Sequence, residues 1–149
     1  MRAVVTRVKG AEVTRTGSGE LLGAIDKGFL VLLGVHTDDT DKEADRIADK
    51  ICGLRVFEDE NGKMNVNPAD AGAELLIVSQ FTLWADCRSR RPGFTSAARP
   101  DTAIPLYERV IDQCRERGFH VKTGEFGADM QVRSVNDGPV TIILDTREL

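Results

Sequence analysis

Side chains of the kind that conventional hydrolases use are thinly spread along this chain. A serine triad needs a histidine beside the nucleophile. Of the two histidines, His36 follows a predicted buried strand and His120 precedes one, and no GxSxG motif is present. A cysteine nucleophile needs a base that forms its thiolate. Arginines lie close to Cys87, but the pattern favours an ordinary loop residue.

Metal and phosphate-binding motifs are equally scarce. Cys52, Cys87 and Cys114 include no CxxC pair, and the histidines lack HxxxH spacing, which argues against a zinc site or a disulfide framework. The acidic residues within 38–41 precede a predicted helix, where carboxylates stabilise the helix dipole. The glycines within 16–19 match no phosphate-binding motif. We therefore expect no metal and no cofactor.

Two polar segments offer chemistry instead. Ser79–Leu83 (SQFTL) puts three polar side chains directly after the apolar run Glu74–Val78. This pattern is typical of a binding site at the end of a buried strand, but it is equally typical of a strand that leaves the core and has no function. Asn136–Thr141 (NDGPVT) is typical of a turn between two strands, and a Gly–Pro turn needs no function. Both segments depend on the strands around them for their position.

Alternating apolar residues and β-branched side chains predict a domain that is mostly strand. A turn at Gly10 is expected between the first two strands, and Asn61–Gly62 predicts a hairpin. The predicted strands are Ala3–Val8, Glu12–Arg15, Leu21–Ile25, Phe29–Val35, Leu54–Phe57, Lys63–Val66, Glu74–Val78, Met130–Val135 and Val140–Asp145.

Two amphipathic helices complete the prediction. Thr40 and Glu43 form a capping box ahead of an apolar stripe that ends at Cys52. A second helix is expected over about Asp101–Arg117, and because a proline such as Pro105 belongs in the first turn, Thr102 is the expected N-cap. Two helices cannot cover both faces of so many strands. We therefore expect one strand-rich α/β domain, residues 1–149, with a curved, barrel-like sheet and helices on one side.

Length and charge limit the partners. The 149 residues fit one domain, and no apolar run approaches the roughly 18 residues of a membrane span. Residues 1–10 lack the apolar core of a signal peptide, so a cytoplasmic location is expected. With a net charge of −4, a broad grip on nucleic-acid phosphates is not expected. An RNA partner would be held locally, at a basic patch or at one end of the RNA.

SQFTL and NDGPVT together resemble the two signature motifs of the D-aminoacyl-tRNA deacylase family. The similarity runs almost end to end and includes MRAVVTRVKGAEV, FLVLLGV, DENGKMNVN, RPGF and ADMQV. Either motif alone would be weak, but both at this separation are specific. The resemblance implies a homodimeric enzyme that hydrolyses the ester between a D-amino acid, or glycine, and the 3′-terminal adenosine of tRNA.

The resemblance also assigns a role to Gly138 and Pro139. It implies that their peptide bond is cis and that they enter the active site of the other subunit. There, both carbonyls would accept a hydrogen bond from the α-ammonium group of a D-residue. They would also occupy the space that the side chain of an L-residue requires, so that the L-ester is rejected.

The catalytic segment implied by the resemblance is Ser79, Gln80, Phe81 and Thr82. Backbone N–H groups around Phe81 and Thr82 are candidate oxyanion donors, and Gln80 would orient the substrate. Thr82 is the obvious nucleophile by inspection, yet no base is visible to activate it. The family is thought instead to use the 2′-hydroxyl of the terminal ribose to activate water.

Two further groups of residues match family positions or suit the substrate. Phe126 and Met130 match residues that line the adenine pocket, although core packing would explain them equally well. One basic segment could contact phosphates near the acceptor end or could simply be solvated. Its arginines are Arg88, Arg90, Arg91 and Arg99.

Two alternative functions remain open at this point. Glycine mischarged on tRNA could be the main substrate of the same enzyme. Alternatively, the same scaffold could be a nucleic-acid-binding module without catalytic activity, although the intact SQFTL and NDGPVT motifs argue against it.

Overall fold

All 149 residues are described by a computed structural model with eight strands, two α-helices and one 3₁₀ turn. No helix is both long enough and apolar enough to cross a membrane. The elements are β1 (Arg2–Arg15), β2 (Leu21–Ile25), β3 (Gly28–Gly34), α1 (Asp41–Gly53), β4 (Phe57–Glu58), β5 (Met64–Val66), β6 (Glu74–Ser79), the 3₁₀ turn (Phe81–Trp84), α2 (Pro100–Glu116), β7 (Val121–Thr123) and β8 (Met130–Asp145).

The main sheet is organised around β1. This strand pairs with β8 along its whole length, with β3 along its first half and with β2 along its second half, always antiparallel. The sheet continues from β3 through parallel pairings to β6 and then β7. Because β2 also contacts β6 and β7, the sheet curves towards closure. The predicted strand-rich α/β fold with a curved, barrel-like sheet is confirmed.

Hydrophobic packing occurs on both faces of β3 and β6. One face packs against the helices, with Phe29 and Ile77 in a large core that includes Ile47 of α1. The other face lies inside the curved sheet, where Leu30 and Val78 pack in a smaller cluster. Burial on both faces explains why these two strands are almost continuously apolar in sequence. Each such buried side chain contributes roughly 1.5–3 kcal/mol to folding.

Helix α1 begins as predicted. The Thr40 hydroxyl accepts from the backbone N–H of Lys42, and the Glu43 carboxylate accepts from the backbone N–H of Thr40 at 2.7 Å. These bonds satisfy N–H groups that have no partner inside the helix. The predicted hairpin at Asn61–Gly62 is also confirmed, although its strands β4 and β5 are shorter than expected.

Two local predictions are wrong. The chain does not turn at Gly10, because β1 continues straight through it while β8 pairs on both sides and register shifts absorb the irregularity. Thr102 is not the N-cap of α2. That helix starts at Pro100 with Arg99 as its N-cap, and Pro105 lies inside it. A proline in the first helical position fits without loss, whereas Pro105 costs one backbone hydrogen bond.

Candidate active site

The backbone around Gln80 is held tightly by the end of β3. The Gln80 N–H donates to the carbonyl of Leu33 at 2.8 Å, and the chain then enters the 3₁₀ turn Phe81–Trp84. Gly34 lies beneath this turn. A Cβ at Gly34 would lie 2.9 Å from the Gln80 carbonyl oxygen and 3.0 Å from Leu83 Cβ, so only glycine admits the turn at this distance.

Trp84 and Arg2 support the 3₁₀ turn from behind. The buried indole N–H of Trp84 donates to the Gly34 carbonyl at 3.1 Å. The guanidinium of Arg2 lies 4.0 Å from the centre of the Trp84 ring and donates to the Leu83 carbonyl at 3.0 Å. Asp145 accepts from Arg2 and from Arg147. These two guanidinium groups hold the pKa of Asp145 well below its ordinary value.

The turn leaves two main-chain donors without a partner. The N–H groups of Phe81 and Thr82 have no acceptor in the chain, because the first hydrogen bond of the turn runs from the Leu83 N–H to the Gln80 carbonyl. N–H groups at the start of a helical turn are commonly unpaired and suit a negatively charged oxygen. Gln80 donates through its side-chain amide to the Thr82 hydroxyl, so this hydroxyl accepts a hydrogen bond but has no base beside it.

A cavity of about 290 Å³ lies beside these donors, near the lower end of the roughly 300–1,000 Å³ typical of ligand sites. Ser79, Gln80 and Phe81 line it together with Phe126 and Met130. The structure therefore brings the predicted catalytic segment to the predicted adenosine residues, although the two lie almost 50 positions apart in sequence. Thr82 does not line the cavity.

Packing fixes the two candidate adenosine residues. The Phe126 ring lies 6.0 Å from that of Tyr107, whose hydroxyl donates to the Ile77 carbonyl at 2.8 Å. Burial raises the pKa of Tyr107 to about 12, so this donor stays protonated. Met130 packs against the inner cluster of the sheet. A Cβ at Gly124 would lie 2.6 Å from the Met130 sulfur, so the glycine leaves room for this side chain.

Other titratable groups contribute little to the cavity. Asp129, which sequence reasoning missed, is the one carboxylate among its lining residues, and neither histidine nor cysteine is among them. His36 packs against Trp84 behind the turn, with ring centres 4.5 Å apart. His120 lies in a separate cleft with Phe119. No group of three or more His, Cys, Asp or Glu side chains could hold a metal ion.

The NDGPVT segment is not a turn between two strands, as the sequence predicts, but a bulge within β8. Pairing with β1 jumps from Thr141, opposite Thr6, to Asn136, opposite Val8. Four residues, 137–140, therefore face the single residue Arg7. The Gly138–Pro139 bond is cis, as the resemblance implies. The predicted strands Met130–Val135 and Val140–Asp145 are one strand, because β1 continues alongside both.

Arg7 anchors this bulge from the protein interior. Its side chain is buried, and it donates to the carbonyls of Asp137 at 3.0 Å and Val56 at 2.6 Å. Gly138 adopts a φ of +133°, and a Cβ there would lie 2.8 Å from Val140 Cγ2 and 3.1 Å from a terminal nitrogen of Arg7. Sequence reasoning missed Arg7. The sequence could have indicated it, because Arg7 continues the alternate positions of Ala3 and Val5, whose side chains face the core.

Within one chain, the bulge and the cavity remain apart. Gly138 and Pro139 are exposed, and neither lines the cavity beside Gln80. In the sheet order, β1 and β3 lie between the bulge of β8 and the end of β6, whereas the first residues of β8 do reach the cavity. The residues of the two signature motifs are therefore not assembled into one site by a single chain.

The basic segment forms an exposed loop next to the 3₁₀ turn. Reciprocal backbone hydrogen bonds between Asp86 and Gly93, 2.8 and 2.9 Å long, close the loop. Arg88 pairs with Asp86 and lowers the pKa of that carboxyl to about 2. The other three predicted phosphate contacts are exposed and form no ion pair. They are Arg90, Arg91 and Arg99.

The fold and the site define a small α/β domain with unpaired main-chain N–H groups at residues 81 and 82, next to a cavity whose lining residues include no histidine or cysteine. The chain belongs to the D-Tyr-tRNA(Tyr) deacylase family, whose model matches residues 4–145. This confirms the family that the Ser79–Leu83 and Asn136–Thr141 motifs resemble.

Individual relatives match over nearly the full chain. A D-aminoacyl-tRNA deacylase from Thermus aquaticus is 57% identical, covering 99% of this chain and 97% of the relative. A D-aminoacyl-tRNA deacylase from Anaeromyxobacter dehalogenans is 55% identical, and the match covers 100% of this chain and 99% of the relative. A solved structure described as c-Myc DNA Unwinding Element Binding Protein is 44% identical with a TM-score of 0.90, covering 97% and 98%. A probable eukaryotic D-amino acid tRNA deacylase, 16% identical with a TM-score of 0.84 over 96% and 97%, shares the fold.

Proposed function

We propose that this protein hydrolyses the ester that joins a D-amino acid, or glycine, to the 3′-terminal adenosine of tRNA. The observation that carries the proposal is the pair of free N–H groups at Phe81 and Thr82, beside a cavity lined by Phe126 and Met130. Relatives at 52–57% identity bear the name D-aminoacyl-tRNA deacylase. Since aminoacyl-tRNA is made and used in the cytoplasm, we expect the protein to act there.

In the proposed complex, the adenine base packs against Phe126 and Met130, and the ester carbonyl points to the Phe81 and Thr82 N–H groups. These donors stabilise the oxyanion that forms when water attacks. Losing one such donor costs roughly 2.7–4 kcal/mol of barrier. Gln80, whose backbone is fixed by β3, orients the substrate. The nucleophile is water activated by the 2′-hydroxyl of the terminal ribose, because the Thr82 hydroxyl has no base beside it.

A second copy of the chain completes the site. Strand β8 pairs only with β1, so its other edge is open. It also exposes Val135 and Ile143, which are 60% and 74% accessible. An open edge with exposed apolar side chains favours association. We propose a homodimer in which β8 is covered and the Gly138–Pro139 bulge enters the cavity of the partner subunit.

Selectivity then follows from main-chain geometry. The carbonyls of Gly138 and Pro139 accept a hydrogen bond from the α-ammonium group of a D-residue and occupy the space of an L side chain. The bulge suits this role because Arg7 fixes the preceding carbonyl, that of Asp137. A rigid backbone cannot swing aside as a side chain can, so rejection of the L-ester is steric. Glycine has no side chain to clash and is accepted.

The direct test uses one purified tRNA charged in parallel with a D-amino acid, its L-enantiomer and glycine. We expect hydrolysis of the D- and glycyl-esters and protection of the L-ester, and sedimentation should show a dimer. A folded protein that hydrolyses none of the three, or that hydrolyses the L-ester equally fast, would contradict the proposal. The ratio of the D- and glycyl-rates shows whether glycine is the main substrate.

A second candidate is a nucleic-acid-binding module without hydrolytic activity. It is favoured by the name of the structural relative at 44% identity, a DNA unwinding element binding protein, and by the basic loop. Ester hydrolysis by the purified protein decides between the two. In both cases we propose that Arg90, Arg91 and Arg99 contact phosphates. Reversing the charge of each arginine should reduce the slope of log binding constant against log salt concentration by about 0.7 per phosphate contact. Arg88, which is already paired with Asp86, serves as the control, and reversing its charge should change the slope less.

A further inference from the structure

We infer that Phe81 and Phe94 form a stacking platform for the base of the nucleotide that precedes the terminal adenosine. The inference deepens the proposed function and rests on it. The two rings lie 5.1 Å apart at an angle of 74°, and they remain 53% and 37% accessible. Two large apolar rings that contact each other and still face solvent are suited to a ligand with a flat apolar face.

The position of the platform defines the path of an RNA strand. Phe81 lines the cavity proposed for the adenosine. Phe94 directly follows Gly93, at which the basic loop closes onto Asp86. The platform therefore runs from the rim of the cavity to the loop that carries Arg90 and Arg91. A strand whose last base occupies the cavity would lay the preceding base on the rings, with its phosphates towards the arginines.

The chemistry of the platform favours a nucleobase over other apolar ligands. Aromatic side chains stack on bases of unpaired RNA ends, largely independently of base identity. The unpaired arginines beside the platform complement a polyanion, whereas the chain as a whole carries a net charge of −4. Each stacked base typically contributes roughly five- to 150-fold in affinity.

Phe94→Ala tests the platform, because Phe94 does not line the cavity. Two substrates are compared: a D-aminoacyl ester of adenosine alone, and the same ester on tRNA. We expect kcat/KM for the tRNA ester to fall about tenfold, mainly through KM, and kcat/KM for the adenosine ester to stay unchanged. Phe94→Trp should restore the tRNA rate. Leu21→Ala, which removes an even more exposed apolar side chain on β2, should change neither.

A tRNA that is abasic at the penultimate nucleotide identifies the occupant. On this RNA, Phe94→Ala should have no further effect, because the two changes remove the same contact. Equal losses on both substrates, a full loss that persists on the abasic RNA, or a changed oligomeric state caused by Phe94→Ala would each overturn the inference. The last outcome would assign the rings to a contact with a second copy.

Binding of uncharged tRNA, intact or abasic, separates this inference from the proposed function. If the wild-type protein hydrolyses no ester, the proposed function fails, yet the same pair of RNAs still measures stacking on Phe94. If hydrolysis is normal and Phe94→Ala binds both RNAs as tightly as wild type, only the platform fails.

Discussion

The end of β6 and the bulge in β8 both present main-chain polar groups to solvent, but they are supported in opposite ways. The 3₁₀ turn after β6 rests on Gly34, Trp84 and Arg2, all supplied by the same chain, and it borders a cavity of that chain. The bulge is held by one buried residue, Arg7, and its Gly138–Pro139 tip does not line the cavity beside Gln80.

This difference separates rate from selectivity. The Phe81 and Thr82 N–H groups both belong to one chain, so a single subunit supplies both of the proposed oxyanion donors. In the proposed homodimer, the bulge acts only when the second copy places it against a substrate. Changes near the turn should therefore lower turnover for every accepted ester without changing the enantiomer preference, whereas changes near the bulge should also alter which enantiomer is accepted. The following variants test that division.

Gly138→Ala should have the largest effect. A Cβ at this position meets Val140 and Arg7 at a φ of +133°, so the bulge must shift. A displacement of about 1 Å can cost roughly 100-fold in rate, and we expect that loss in kcat/KM for a D-aminoacyl-tRNA, together with weaker discrimination against the L-ester. Single-turnover hydrolysis of both enantiomers measures the two effects.

Gly17→Ala provides a matched control for that variant. Gly17 also has a positive φ, +89°, but a Cβ there meets nothing within 4 Å. It therefore carries the same kind of backbone strain without the steric clash. If Gly17→Ala loses activity as severely as Gly138→Ala, global destabilisation rather than the shape of the bulge explains the loss.

Arg7→Met should have the next largest effect. It leaves the carbonyls of Val56 and Asp137 without their donor, which costs roughly 1–3 kcal/mol of unfolding free energy. We expect about a tenfold loss in discrimination between enantiomers as the bulge loosens. Urea unfolding and paired D- and L-ester assays report these two quantities. Arg7→Lys should rescue little, since lysine lacks the guanidinium fork; full rescue by lysine would argue against the anchor.

Local sequence signals predicted much of this molecule. The capping box at Thr40 and Glu43, the buried strand Glu74–Val78 and the polar segment that follows it each depend on residues close together in the chain. The resemblance supplied the cis bond at Gly138–Pro139, which turn composition alone could not indicate. These features were predictable because neighbouring residues determine them.

The rest depends on pairings between distant residues. NDGPVT has the composition of a turn, and it becomes a bulge only because β1 continues opposite both of its flanks. The chain does not turn at Gly10 because β8 pairs with β1 on both sides of that residue. The contact of Arg2 with Trp84 and Leu83 joins residues about 80 positions apart, and no local pattern in the sequence indicates it.

Asp145→Asn tests the support beneath the turn. Arg147 and, to a smaller extent, Arg2 lower the pKa of Asp145 in the folded protein, whereas the pKa in the unfolded chain is about 3.9. The stabilisation is therefore complete above the unfolded value and is lost as pH falls towards the lower, folded value. We expect the variant to melt about 2–4 °C lower at neutral pH and to show a weaker decline in Tm below about pH 5. Parallel melting curves that differ by a constant amount at all pH values would exclude this linkage.

Thr82→Ala should have the smallest effect and tests the chemistry of the turn most sharply. Its hydroxyl interacts with the Gln80 side chain, has no histidine or carboxylate bonded to it and does not line the cavity. The backbone N–H of residue 82 survives the substitution. We therefore expect single-turnover hydrolysis of D-aminoacyl-tRNA to stay within about tenfold of wild type, because a positioning hydrogen bond, and no covalent step, is lost. A fall of several orders of magnitude in a normally folded variant would identify Thr82 as the nucleophile. Replacing the terminal 2′-hydroxyl of the tRNA by hydrogen should have the opposite outcome, a large loss with wild-type protein, because we propose that this hydroxyl activates the attacking water.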